Sequence, residues 1–399
     1  MLINLVLISC TQKKSPISAP HSDNKDTVKS QLLTLDIKRL PDISAIKLSE
    51  IGAIGIEYLP LETTPGNVIK EIFKIVLAKN NILISGIGLN SLLMFRNDGS
   101  FINEVGIRGR GPNEFTGIND IDINPINGSI YIANGAQSKF LVFNNNGKFI
   151  RTFKIPVKGE MNFKLTEGGI LCYYNNSQGS IKNSFILVDT TGKIIKNFTN
   201  KYPWEKKYPF GFENENIFYR FNNQLYKKEI YCDTIFKYNN REFEPHIIID
   251  VGNLRLTQDV RIKAKTRSDV EYISHNFLSQ FNLFEFGDFI YYEIGAMING
   301  VHDLYSFIGS KRNDFKTIIL PYEGLINDID GGPNIWPKTI KNDSTIVSWI
   351  DAVEFKKYMA SDTFKNSTPE YPEKKNELEK LASSVKENDN PILILIKVR

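Results

Sequence analysis

The sequence predicts an all-β protein, and three observations carry that expectation. Aromatic residues make up 12% and hydrophobic residues 41% of the 399 positions, with Ile, Phe and Tyr prominent. Such β-branched and aromatic side chains fit a pleated, half-buried surface better than a helix. Short apolar runs are separated by Asn/Asp/Thr-x-Gly turns, where glycine takes a positive φ at no steric cost. These runs come in groups that repeat at roughly 40 to 50 residues, the period of a four-stranded propeller blade. The expected architecture is a six-bladed β-propeller with two short helical insertions, closed by its N- and C-terminal strands.

Met1 to Ser9 is almost wholly apolar, too short to span a bilayer as a helix, and ends Leu7-Ile8-Ser9-Cys10 before a polar stretch. It resembles a bacterial lipobox, which implies a signal peptide over residues 1–9, cleavage before Cys10 and lipidation of Cys10. Residues 10–29, rich in Ser, Pro, Asn and Lys, read as a flexible tether. Residues 30–399 are left for the propeller.

The first repeat unit is Asn81–Ser85, Leu92–Phe95, the turn Asn97-Asp98-Gly99-Ser100, then Phe101-Ile102. The second is Gly128–Ala133, Phe140–Phe143, a turn ending Gly147-Lys148, then Phe149-Ile150, and the third runs from Gly169 to Ile195 around the turn at Gly192. Diverged copies follow at Ile217–Arg220 with Thr234–Lys237, at Phe289–Tyr292 with Leu304–Phe307, and from Ile346 to Trp349. The sixth unit has too few strands after residue 334. Ile54 to Leu61 is an unassigned strand ahead of the first unit, which can serve as its outer strand. Asn390 to Lys397 would lie beside it, its apolar run matching a strand covered on both faces. Residues 256–280, and 352–388 with the helix-forming stretch Glu373 to Lys386, are the helical insertions.

Gly109 to Phe115, Asp233 to Phe236, Asn327 to Pro333 with Trp336-Pro337, and Asn390 to Leu393 make the chain resemble bacterial six-bladed β-propeller lipoproteins, distantly similar to NHL-repeat propellers. That resemblance runs from about residue 40 to the end and implies an exported, membrane-tethered protein of the bacterial cell envelope. It brings no catalytic residues with it.

In a propeller the outermost strand of one blade leads to the innermost strand of the next across one face. Residues 106–118, 200–212, 252–280 and 321–334 are such crossovers, so any ligand site is expected at that mouth of the central channel. Candidate residues there are Arg108, Arg110, Glu114, Trp204, Asp328, Asp330 and Trp336. The first three either brace their loop or contact an anionic or hydroxylated ligand. Asp328 and Asp330 either cap turn amides, the favoured reading, or face a ligand such as a metal, and no metal is assigned to them. The loop Tyr202 to Pro209 either stacks a sugar or base or packs on its own blade. Arg110 and Asp330 are expected on one rim, as a structural clasp or as two sides of a polar site with Trp204 and Trp336 as apolar platforms.

Other chemistry is not indicated. Asp120-x-Asp122-x-Asn124 begins like a calcium loop, but Pro125 stands where glycine is required. Histidines 21, 246, 275 and 302 have no metal spacing, and neither a nucleophile elbow nor a phosphate loop is present, so no cofactor is expected. Cys172 and Cys232 are expected as separate thiols. The 49 basic and 45 acidic residues are nearly balanced and scattered, which argues against nucleic acid. The functional expectation is a monomeric, non-catalytic binding propeller for a polar small molecule, glycan or envelope protein. The alternative is an NHL-like lyase or hydrolase working at the same mouth, with His275 and His302 as the available bases.

Overall fold

A computed structural model describes residues 32–38, 43–156, 159, 161–177, 179–205, 210–212, 214–298, 300–319 and 323–399. Residues 1–9, Cys10 and the tether through residue 29 lie outside the described residues, as does the Lys206 to Pro209 part of the aromatic loop.

Six antiparallel sheets of four strands follow one another. Sheet 1 is Glu71–Leu77, Asn81–Ile87, Leu92–Arg96 and Phe101–Val105, and sheet 2 is Asp120–Ile123, Ile130–Asn134, Lys139–Phe143 and Phe149–Lys154. Sheet 3 is Met161–Thr166, Gly169–Tyr174, Asn183–Val188 and Ile194–Thr199, and sheet 4 is Asn216–Phe221, Gln224–Glu229, Thr234–Asn239 and Glu242–Asp250. Sheet 5 is Ser279–Phe286, Phe289–Ile298, Val301–Ser310 and Lys316–Ile319. Sheet 6 is Thr339–Asn342, Thr345–Ile350, Ile392–Val398 and Ala53–Pro60, so its outermost strand comes from the start of the chain. Ile392–Val398 lies antiparallel between its two neighbours, as the sequence predicts.

Each sheet buries its faces on the next. Leu83 and Met94 of sheet 1 pack with Ile121 and Phe143 of sheet 2, and Phe140 of sheet 2 packs with Phe163 and Ile186 of sheet 3. Phe185 of sheet 3 meets Leu225 and Tyr238 of sheet 4, and one large cluster joins Tyr219, Tyr291 and Ile394 of sheets 4, 5 and 6. Leu59 and Leu393 of sheet 6 then pack with Ile82 and Phe95 of sheet 1, which completes the circuit.

The turn glycines contribute twice. In the Asp98 turn the carboxylate accepts the Ser100 amide at 2.9 Å, while Gly99 holds φ at 84°. A Cβ on Gly99 would stand 2.2 Å from the Pro60 carbonyl oxygen of sheet 6. Gly192 stands against Lys154 of the preceding sheet in the same way, 2.1 Å from its carbonyl oxygen. Glycine is therefore demanded both by the backbone angle and by the contact between successive sheets.

Among the described residues four short strands were not anticipated, of which Ile107–Arg108 and Glu114–Phe115 pair in parallel with each other. Leu33–Asp36 and Ile43–Ser44 add in parallel to the outer edges of sheets 4 and 5, covering backbone groups that an edge leaves open. The helical insertions fall where expected. Helices α1 (Gln258–Lys263) and α2 (Arg267–Asn276) lie in the crossover from sheet 4 to sheet 5, each opened by a threonine cap. Helices α3 (Ala352–Ala360), α4 (Asp362–Asn366) and α5 (Lys374–Ser384) join the second and third strands of sheet 6. Strand alternation puts the crossovers and the second-to-third connections on one face, so all five helices stand on it.

Candidate ligand site

The innermost strands carry charge, which a packed ring accepts only in pairs. Asp120 of sheet 2 accepts the Phe163 amide at 2.8 Å and pairs with Lys74 of sheet 1 and Lys164 of sheet 3. Burial would raise the Asp120 carboxyl, but the two lysines outweigh it and hold it below the ordinary carboxylate range. Asp122 accepts the Leu165 amide at 2.7 Å and meets Arg220 of sheet 4 at 2.9 Å. The two acids that open like a calcium loop are thus held by cations and amides.

Above this lattice, at the end where the crossovers enter, a pocket of about 200 Å³ opens among sheets 2, 3 and 4. Asn119 comes from the residue ahead of sheet 2, Met161 and Asn162 from the first residues of sheet 3, Tyr173 and Asn175 from the end of its second strand, and Glu215 from the residue ahead of sheet 4. Glu215 is spoken for. It meets the Arg261 guanidinium at 2.7 Å and accepts the Asn176 amide at 2.7 Å and the Tyr173 hydroxyl at 3.4 Å. Burial first, then the negative Glu215 beside it, raises Tyr173 well above the usual phenol value, so its hydroxyl stays a donor.

The amides are freer. Asn119 accepts the Gly135 amide at 2.6 Å through its oxygen, leaving its nitrogen open, and the Asn162 side chain makes no hydrogen bond among the described residues. Just below, Asn216 shares the strand face that sends Phe218 and Arg220 towards sheet 3. It is 1% exposed, yet neither of its amide atoms is bonded among the described residues.

Two β-bulges shape the rim. In sheet 1, Ile72 pairs with Gly86 and Lys74 with Ser85, leaving Phe73 unpaired and 68% exposed. In sheet 5, Gln280 pairs with Ile294 and Asn282 with Glu293, leaving Phe281 unpaired and 39% exposed. Each is the third residue of its innermost strand, near the crossover end.

The residues singled out from sequence mostly serve the fold. Glu114 accepts the Gly111 amide at 2.7 Å and fills the space beside Gly109, so it braces its loop. Arg108 and Arg110 are exposed and without a side-chain partner among the described residues. Asp328 caps the start of the 3-10 turn Leu48–Ile51 by accepting the Ser49 amide at 3.1 Å and its hydroxyl at 2.5 Å.

Asp330 is 3% exposed and accepts from Asn327 at 2.7 Å, Gly332 at 2.9 Å and Tyr58 at 3.2 Å. The Arg110 clasp therefore does not form, because sheets 6 and 1 intervene between the two loops and Asp330 is already satisfied. Trp204 is no open platform either. It is 5% exposed, donates to the Asn176 carbonyl at 2.9 Å and has the Arg261 guanidinium 4.4 Å from its ring centre. Trp336 is half-buried and donates to Glu293 at 2.7 Å.

His275 and His302 stand on the crossover face with ring centres 5.0 Å apart, His275 bonded to the Glu271 carbonyl and His302 to the Ser274 carbonyl. Cys172 and Cys232 are free thiols. A second cavity of about 270 Å³ lies between sheets 3 and 4, where Lys227 sits 4.7 to 4.9 Å from the ring centres of Phe185, Phe236 and Phe243 and pairs with Glu229.

The fold and its loop-bearing mouth define a propeller-like, mostly β protein. The chain belongs to the DUF4934 family, a domain of unknown function, whose model matches residues 33–397. Its fold is similar to that of a protein from Bacteroides fragilis described as exported, with a TM-score of 0.70, 17% identity, and coverage of 92% of this chain and 100% of that one. A member of the DUF4221 family from Bacteroides vulgatus matches with a TM-score of 0.48 and 10% identity over 87% of this chain and 97% of that one. Virginiamycin B lyase from Staphylococcus aureus matches with a TM-score of 0.39 and 12% identity over 73% of this chain and 94% of that one. No curated protein matches the chain in sequence.

Proposed function

We propose that this chain is a non-catalytic binding protein of the bacterial cell envelope, held on a membrane by lipid on Cys10, which takes a polar ligand at the crossover mouth. The observation that carries this is the pocket of Asn119, Asn162, Tyr173, Asn175 and Glu215, whose one acid is neutralised from behind while the Asn119 nitrogen and the Asn162 amide stay open among the described residues. Loops and strand ends on a rigid scaffold are the usual seat of such sites. Export is supported by the lipobox-like Leu7-Ile8-Ser9-Cys10, by the resemblance to propeller lipoproteins, and by the description of the Bacteroides fragilis protein.

Thermal-shift screening of the intact chain against neutral and charged polar small molecules tests the site. A ligand that raises the melting temperature of the native chain but not of Asn162→Ala is the expected result. Hits that stabilise both equally would place binding elsewhere. For the anchor, several acyl chains on one cysteine hold stably where a single chain is marginal, so Cys10→Ala should move the chain to the soluble fraction. Retention in the membrane pellet would refute it.

A further inference from the structure

The mouth as a ligand site leaves the ligand unnamed, and the innermost strands narrow it. Across five consecutive sheets the crossover end presents Phe73, Asn119, Asn162, Glu215 and Phe281 in turn. The succession holds in space as well as in sequence. Lys74, next to Phe73, pairs with Asp120, next to Asn119, and Asn214, next to Glu215, donates to the Phe281 carbonyl at 3.0 Å.

Both phenylalanines reach solvent because a bulge at the same strand position turns them out of the packing between sheets. Bulges re-aim side chains and gather near functional sites. The pocket's one acid, Glu215, is matched by Arg261, Asp120 below it is held by two lysines, and the unpaired Arg108 and Arg110 stand on the crossover loop between sheets 1 and 2 rather than in the pocket lining. A phosphate or carboxylate would meet no free cation among the pocket residues. The open groups are the Asn119 nitrogen, a donor, and the Asn162 amide, which offers a donor and an acceptor as a hydroxyl does. Exposed aromatic faces beside them suit a ring with polarised C–H groups on one side and hydroxyls around its edge.

We propose, resting on the ligand-site reading above, that the mouth binds a neutral saccharide. One ring occupies the pocket at Asn119 and Asn162, and neighbouring units of a longer chain lie over Phe73 and Phe281. A pocket of about 200 Å³ is smaller than the ~300–1,000 Å³ typical of drug-sized ligands, which fits a single ring with the remainder outside.

The test is saturation-transfer NMR of the intact chain with α- and β-linked trisaccharides of glucose, galactose and N-acetylglucosamine, followed by calorimetric titration of any that bind. At least one should bind, and Phe73→Ala and Phe281→Ala should each weaken it by about tenfold or more at unchanged melting temperature. Phe281→Trp should restore most of the affinity. Saccharide binding that ignores both alanine variants overturns the proposal, as does binding confined to sulfated or carboxylated sugars. If no saccharide binds but another polar compound gives an Asn162-dependent thermal shift, the mouth stands and only the saccharide falls. If neither is found, both fall.

Discussion

The Glu215 carboxylate and the Arg261 guanidinium meet at 2.7 Å with neither side chain exposed to solvent, and the same acid lines the mouth pocket. Helix α1 therefore reaches down to neutralise the site from behind. Removing one member of a buried ion pair leaves the other uncompensated, at about 3–5 kcal/mol. Arg261→Met should destabilise by that amount in urea unfolding, and adding Glu215→Gln should recover most of the loss. A double variant no more stable than the single one would show that the aromatic contacts of Arg261, not the charge pair, hold α1 in place.

One buried amide reinforces ring closure. Asn390 donates to the carbonyls of Glu62 at 3.0 Å and Asn67 at 3.1 Å and accepts the Ile69 amide at 2.8 Å, tying the entry of the Ile392–Val398 strand to the crossover that leads into sheet 1. Asn390→Ala leaves these groups buried and unmatched and should cost about 2–3 kcal/mol. Deleting Pro391 to Arg399 removes an interior strand and should give insoluble protein. A soluble truncation with unchanged melting would mean that this strand is dispensable.

Acid should unfold the ring through its inner lattice. The folded carboxyls of Asp120 and Glu285 both lie below their ordinary values despite burial, Asp120 through Lys164 and Lys74 and Glu285 through His246 and Lys311. Their stabilisation is complete above the unfolded values of about 3.9 and 4.3 and is lost as pH falls through the lower folded ones. Asp120→Asn should be less stable than the native chain at pH 7, by a margin that shrinks towards pH 3. A constant margin across that range would remove ionised Asp120 from the explanation.

Lys228 pulls the other way. Burial, only partly offset by Asp233, lowers its amine to about 8, and it has a 3.4 Å contact to Gln280 and the Tyr292 ring 5.0 Å away. Charging it in the fold costs stability below about pH 8, and the cost disappears above the unfolded value of about 10.4. Lys228→Met should therefore gain about 1–3 kcal/mol at pH 7 and little at pH 10.5. Equal gains at both pH values would assign the effect to packing alone.

The sequence exposed most of the fold because repeated turns make periodicity visible. The Gly99, Gly147 and Gly192 turns mark successive sheets, and the surplus strand near residue 54 finds its place once sheet 6 is seen to be short. The site was less legible. Arg110, Asp330 and Trp204 stand out because they occupy odd loops, but an odd loop needs internal bracing, and Asp330 and Trp204 supply it. The pocket amides lie at strand ends, where asparagine reads as ordinary turn chemistry. Phe73 and Phe281 read as core residues, since a bulge is set by cross-strand register and leaves no mark in local composition.

The measurement that bears most directly on the mouth as the binding site is a crystal structure of the intact chain with a compound from the thermal-shift screen. The compound should lie within hydrogen-bond distance of Asn119 or Asn162, between Phe73 and Phe281. Density in the Phe185 and Phe243 cavity between sheets 3 and 4, or on the face away from the crossovers, would contradict it.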